Sequence, residues 1–329
     1  MKIFSTCPKS SDVLNDDGDY LSAVRETAIW SEAAGCTGAL IYTDNGLVDP
    51  WMVAQSLIGF TSSLRPLVAV QAAYMHPYWA AKKIASLAAT YGRAIDVNIL
   101  AGGFRNDLKV LGDRTEHDDR YRRATEYALI MRRLLAGESV TVDGQFYQVE
   151  GLSLRPGLPE GLETDFLISG SSPAGMEAAE TIGATAIRYP EAPGVEDRVT
   201  GLAVSCGIRI GIIAAERSED AWAIARDRFP IDRKGQLAHK FAMKTSDSQW
   251  HNQLSPASDE DVYWQEPFRS YYTFCTYQGG SYDEVIPEIE RYIDSGYRSF
   301  ILDIPVDRAD IEQATAAIFC AADRIKANA

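Results

Sequence analysis

Histidine and cysteine are scarce in this chain: 4 and 5 among 329 residues. No C-x-x-C pair occurs, and none of His76, His117, His239 and His251 stands at a metal-ligand spacing from another ligand type. A zinc site and a disulfide framework are thereby excluded as readings, and no metal is expected. Cys7, Cys36, Cys206, Cys275 and Cys320 read as buried free thiols. Positive charge is also in short supply, with 32 Lys and Arg against 46 Asp and Glu and a net charge of -14. Such a surface repels nucleic acid and anionic membranes, so neither is an expected partner. No apolar run approaches the roughly 20 residues of a membrane span. The start, Met1–Pro8, reads as a strand and lacks the charged and apolar regions of a secretory signal, which leads to the expectation of a cytoplasmic protein.

What is present is an alternation of short β-rich runs with longer helical patterns. Candidate strands are 3–6, 39–43, 67–71, 95–100, 166–169, 184–188, 208–213 and 300–303. Most are continuous apolar runs, as expected of strands buried on both faces of a parallel sheet. Between and after them lie helical patterns over 20–34, 51–60, 79–90, 120–135, 173–182, 220–229, 282–295 and 308–326, several closed by a glycine such as Gly92 or Gly183. Eight βα units closing into a (β/α)8 TIM barrel is the economical reading; an open doubly wound sheet would use the same units. Three stretches interrupt the repeat: a polar connection over 102–119, a β-hairpin over 140–155 turning at Asp143-Gly144, and an aromatic-rich insertion over 240–280.

A parallel barrel places its active site at the carboxyl ends of its strands. The polar residues there are Thr6, Tyr42, Thr43, Asp44, Gln71, Asn98, Ser169, Ser171, Ser172, Arg188, Tyr189, Arg209 and Asp303. They include no Ser-His-Asp arrangement and no activated cysteine, which assigns the chemistry to a cofactor. Ser169-Gly170-Ser171-Ser172-Pro173 runs from a strand directly into a helix. Free N–H groups, hydroxyls and the positive end of a helix dipole converge there, which suits a phosphate; a capped helix without a ligand is the plainer alternative. Asn98, inside an apolar strand, needs a hydrogen-bond partner, either a ligand or a neighbouring backbone. Ala101 to Gly103 leave room for a flat ring system against the strand end.

These residues belong to a wider pattern. WMVA at 51–54 with LVAV at 67–70, NILAGG at 98–103, HDDRYRRATEY at 117–127 followed by MRRLL at 131–135, and VDGQFY at 142–147 occur in order. SGSSPAG at 169–175, IRI at 208–210, DAW at 220–222, GSYDEV at 280–285 and SFIL at 299–302 continue it. The chain resembles the bacterial luciferase-like flavin monooxygenases, most closely the two-component alkanesulfonate monooxygenase branch. The resemblance implies one luciferase-like TIM-barrel domain over 1–329, with a hairpin insertion near 140–155 and a lid insertion near 240–280. It implies reduced FMN (FMNH2) supplied by a separate NAD(P)H-dependent flavin reductase, and one atom of molecular oxygen inserted into a small organic substrate through a C4a-peroxyflavin. A homodimer or homotetramer is usual in the family. By the same resemblance Gln71, Asn98, Ala101 and Gly102 lie near the isoalloxazine, and Tyr121 near the ribityl or phosphate end, although Tyr121 also reads as helix packing. Ser169, Gly170, Ser171 and Ser172 take the phosphate, Arg209 lies in the substrate pocket, and Arg269 is a lid arginine.

His76 follows the third strand and is a candidate general base, with a structural hydrogen bond as the alternative. Two departures from the sulfonate enzymes stand out: Leu47 replaces a cysteine and Gly211 replaces a histidine. They imply a pocket that is roomier and more apolar on that side, and they set sulfonate specificity aside. Tyr263, Trp264, Phe268, Tyr271, Tyr272, Phe274 and Tyr277 imply a larger, partly aromatic or polyketide-like substrate, with core packing as the alternative. A deazaflavin-dependent oxidoreductase of the same superfamily and a non-catalytic flavin-binding protein are the competing functions.

Overall fold

A computed structural model describes residues 1–103, 105–192, 199, 201–243 and 261–328. The chain opens with β1 (Lys2–Thr6), α1 (Ser10–Asn15) and α2 (Tyr20–Ala33). Then follow β2 (Gly38–Ile41), α3 (Pro50–Phe60), β3 (Arg65–Gln71), α4 (Pro77–Tyr91), β4 (Asp96–Leu100), α5 (Arg105–Val110) and α6 (His117–Leu135). The hairpin β5 (Val140–Asp143) and β6 (Gln148–Leu152) leads to β7 (Phe166–Ser169), α7 (Pro173–Ile182), β8 (Thr185–Arg188) and β9 (Cys206–Ala215). The last part holds α8 (Ser218–Arg228), α9 (Arg233–Met243), β10 (Tyr263–Trp264), α10 (Glu266–Arg269), β11 (Tyr277–Ser281), α11 (Tyr282–Asp294), β12 (Tyr297–Leu302) and α12 (Arg308–Asn328).

Strands β1, β2, β3, β4, β7, β8, β9 and β12 pair in that order, all in parallel, and β12 returns to β1 to close the ring. This is the expected (β/α)8 barrel, and each of the eight sequence-predicted strands falls on one of its staves. The interior is packed: Phe4, Leu40, Leu67, Leu167, Ile187 and Ile301 fill it from alternate positions. Apolar helix faces cover the outside of the ring. Three helices start alike, with a capping residue followed by proline at the first turn: Asp49-Pro50 for α3, His76-Pro77 for α4 and Ser172-Pro173 for α7. The cap satisfies early N–H groups and proline needs none, so strand and helix meet without slack.

The 140–155 hairpin forms as expected and is antiparallel. The carboxylate of Glu126 on α6 holds its turn by accepting from the backbone N–H groups of Gln145, Phe146 and Tyr147. The 240–280 insertion is less of a loop than its composition implies. Residues 244–260 lie outside the described part, but β11 pairs in parallel with Gly211–Ala215, the half of β9 that continues past the ring, and β10 adds to its edge.

Candidate active site

A cavity of about 500 Å³ opens at the carboxyl ends of the ring strands, a size typical of small-molecule sites. Leu40, Ala69 and Ile187 form its floor, continuous with the barrel interior. Of the strand-end polar residues named from the sequence, all but Thr6 and Asp303 line it. Thr6 donates its hydroxyl hydrogen to the Leu302 carbonyl at 2.5 Å, and Asp303 accepts from the Tyr277 hydroxyl at 2.8 Å.

Gln71, Asn98, Ala101, Gly102, Tyr121, Ser169, Gly170, Ser171 and Ser172 are brought together in this one cavity. The partner that buried Asn98 requires is the neighbouring strand's side chain rather than its backbone: Oδ1 accepts from Ser169 Oγ at 3.1 Å. Ser172 is the N-cap of α7, its Oγ accepting from the Gly175 N–H at 3.2 Å. Its own hydroxyl hydrogen is left for a ligand. Gly170 has φ +150°, and a Cβ there would collide with the Tyr121 hydroxyl. Tyr121 Oη lies 3.4 Å from the Ser169 carbonyl, and its ring meets His117 edge-on at 5.1 Å. The phenol is thus seated on the strand–helix junction, which removes any choice of side chain beneath it. His117, at the start of α6, also lines the cavity; its one mark in the sequence is its place in the HDDRY run.

Arg209 projects from β9 into the same cavity. Its Nη2 donates to the Tyr42 hydroxyl, its guanidinium stacks 5.0 Å from the Tyr42 ring centroid, and its buried Nε has no partner among the described residues. Burial pushes the Tyr42 phenol well above its ordinary value, although the arginine pulls the other way, so Tyr42 is neutral.

Two candidates sit elsewhere. His76 does not line the cavity: its Nδ1 accepts the Tyr78 N–H at 3.2 Å as the N-cap of α4, and its ring stands edge-on to Tyr147 at 5.7 Å. Capping uses the lone pair a general base would need. Burial also lowers its pKa, so the ring is held neutral. Arg269, on α10, is outside the lining as well, with Nη2 donating to Gln265 Oε1 at 3.1 Å.

The expected room at Gly211 is not there. A Cβ at Gly211 would run into the Tyr277 ring, which occupies that volume from the adjacent strand. On the other departure, Leu47 does line the cavity and makes that wall apolar. Most of the insertion's aromatics are packing. Trp264 and Tyr277 join Trp222 and Phe229 in a separate apolar cluster, Phe268 is fully buried, and among the described residues of the insertion Phe274 is the one aromatic that lines the cavity. For Trp264, Phe268 and Tyr277 the packing alternative holds. The cysteines are free and four are buried. Burial lifts Cys7 and Cys36 to about 12, far from a nucleophile's range. Among the described residues no group of His, Cys, Asp and Glu could hold a metal ion, and no helix is long and apolar enough to cross a membrane.

The family description "Luciferase-like monooxygenase" matches residues 1–299. The 4-(gamma-L-glutamylamino)butanoyl-[BtrI acyl-carrier protein] monooxygenase BtrO of Niallia circulans is 31% identical over 301 residues, 88% of each chain. The chain belongs to the luciferase-like monooxygenases, a family of flavin-dependent oxidoreductases. Among solved structures, EDTA monooxygenase (EmoA) from Chelativorans sp. BNC1 superposes with a TM-score of 0.76 at 14% identity, covering 98% of this chain and 94% of that one. An F420-dependent secondary alcohol dehydrogenase has a TM-score of 0.65 at 18% identity, covering 96% and 98%. At those identities both bear on the fold alone.

Proposed function

We propose that this protein is the oxygenase of a two-component system, using FMNH2 from a separate NAD(P)H-dependent flavin reductase to insert one atom of O2 into a small organic substrate while the other leaves as water. The observation that carries the reading is the junction at Gly170. Tyr121, Ser171, Ser172 and the α7 N-terminus converge there on a backbone with no room for a side chain, at one end of a cavity whose other polar groups suit a flat heterocycle. Reduced flavin would supply the two electrons needed to activate oxygen. The chain's own residues would hold it, with the phosphate on Ser171, Ser172 and Tyr121 and the ring against Gln71, Asn98, Ala101 and Gly102. Leu47 and Phe274 would shed water from the reacting end, and neutral Tyr42 would hold Arg209 at the substrate. BtrO is named for its action on an acyl group carried on an acyl carrier protein; a polar acyl substrate is consistent with the mixed lining here. The reading brings with it a cytoplasmic homodimer or homotetramer.

Quenching of intrinsic tryptophan fluorescence tests the cofactor. Reduced FMN should quench and reduced F420 should not; the reverse would make the protein a deazaflavin oxidoreductase. Replacing both Ser171 and Ser172 with Ala should weaken FMN binding by about 1–3 kcal/mol through lost hydrogen bonds to a charged group. An unchanged affinity would refute the phosphate assignment.

A further inference from the structure

Lys9 stands at the N-cap of α1 (φ -77°, ψ 133°) but makes no side-chain cap. Its side chain turns into the cavity, with Nζ 4.3 Å from the Phe274 ring centroid and 5.8 Å from that of Tyr42. Among the described residues it makes no hydrogen bond and no ion pair. Arg209 reaches the same Tyr42 ring from β9, with its Nε unpartnered. Two cations therefore face one small volume, and neither has a carboxylate to itself.

The fold does not offset that cost. Burial disfavours the ammonium and Arg209 repels it, while two aromatic faces return only about 0.5–2 kcal/mol each. A cation at a helix N-terminus also opposes the helix dipole. The acids whose fields reach Lys9 are Asp12, Asp303 and Asp44. Asp12 and Asp44 are exposed at the rim, and Asp303 is engaged by Tyr277. These three temper the positive field, which then suits a single negative charge better than a doubly charged phosphate. In the ring β1 lies directly across from β7, so Lys9 faces the cavity from the side opposite the Ser171 junction, while β9 brings Arg209 in from midway between them, two staves from each.

We propose that Lys9 and Arg209 form a subsite for the carboxylate of the substrate, making the substrate class an organic acid or acyl compound with a free carboxylate. This rests on the flavin reading for its place in a reaction, but the subsite can be tested apart from it. Hexanoate, hexanamide and hexanesulfonate serve as probes on the full chain, followed by saturation-transfer NMR with and without reduced FMN kept anaerobic. Hexanoate should bind at least about tenfold more tightly than hexanamide. Lys9→Met should abolish that preference while FMN affinity, measured in the same samples, stays within about twofold. Lys9→Arg should restore the preference. Burial lowers the Lys9 pKa, so raising the pH should weaken hexanoate binding in the wild type before it does so in Lys9→Arg. Equal binding of hexanoate and hexanamide by the wild type, or a preference that survives Lys9→Met, overturns the subsite, and preference for hexanesulfonate overturns the assignment to carboxylate. A hexanoate preference in a protein that does not bind FMN would leave the subsite standing and remove the flavin reading.

Discussion

The two ends of the barrel treat charge in opposite ways. At the amino ends of the strands, Lys2, Arg65, Asp96 and Asp165 neutralise one another. Arg65 Nη2 donates to Asp96 Oδ1 and to the Glu163 carbonyl at 3.0 Å, and Lys2 Nζ meets Asp165 Oδ2 at 2.5 Å. The Asp165 N–H donates to Asp96 Oδ1 at 2.8 Å. At the carboxyl ends, neither Lys9 nor Arg209 has an ion pair among the described residues, and Arg209 donates to the neutral Tyr42 phenol rather than to a carboxylate. Charges satisfied within the fold serve stability, whereas charges left open are available to a ligand.

Substitutions can break this contrast. Asp96→Ala removes a fully buried carboxylate from beneath Arg65 and should cost about 3–5 kcal/mol in urea unfolding, with FMN affinity of the folded protein unchanged. Burial raises the Asp96 pKa to about 6 even against Arg65, so the folded state holds the proton more tightly than the unfolded chain. Stability from this group is fully present below the ordinary carboxylate value and is lost as pH rises to about 6; Asp96→Asn should flatten that part of the stability profile. Gly170→Ala tests the opposite face. Its Cβ would strike Tyr121 at φ +150°, costing about 1–3 kcal/mol of stability and weakening FMN by more than the paired serine substitutions do. The smallest effect is expected at His76. His76→Ala should lower stability by about 1 kcal/mol, the value of a helix cap, with kcat unchanged; a collapse of kcat would return it to the chemistry.

Much of this was legible in the sequence because it is local. Strand ends, where an apolar run yields to polar residues, located the cavity wall from Tyr42 to Arg209. The junction at 169–173 showed its cap and its glycine directly. His76 was legible in principle too: His76-Pro77 has the same form as Asp49-Pro50 and Ser172-Pro173, the signature of a helix start. What could not be read depends on side chains meeting across the ring. Lys9 looks like an exposed residue in a polar stretch until Phe274, from a distant insertion, is laid under its ammonium. The aromatics of that insertion carried no mark of whether they face ligand or core, and β11 settles it by pairing Tyr277 with Gly211.

That last pairing closes a route between relatives. A histidine at 211, as in the sulfonate enzymes, has no space while Tyr277 stands beside it, and shrinking Tyr277 alone would hollow the second apolar cluster and strip Asp303 of its phenol. The positions constrain one another, so neither change is tolerated first. The two pocket types are separated by a valley of poorly packed intermediates rather than by a single mutational step.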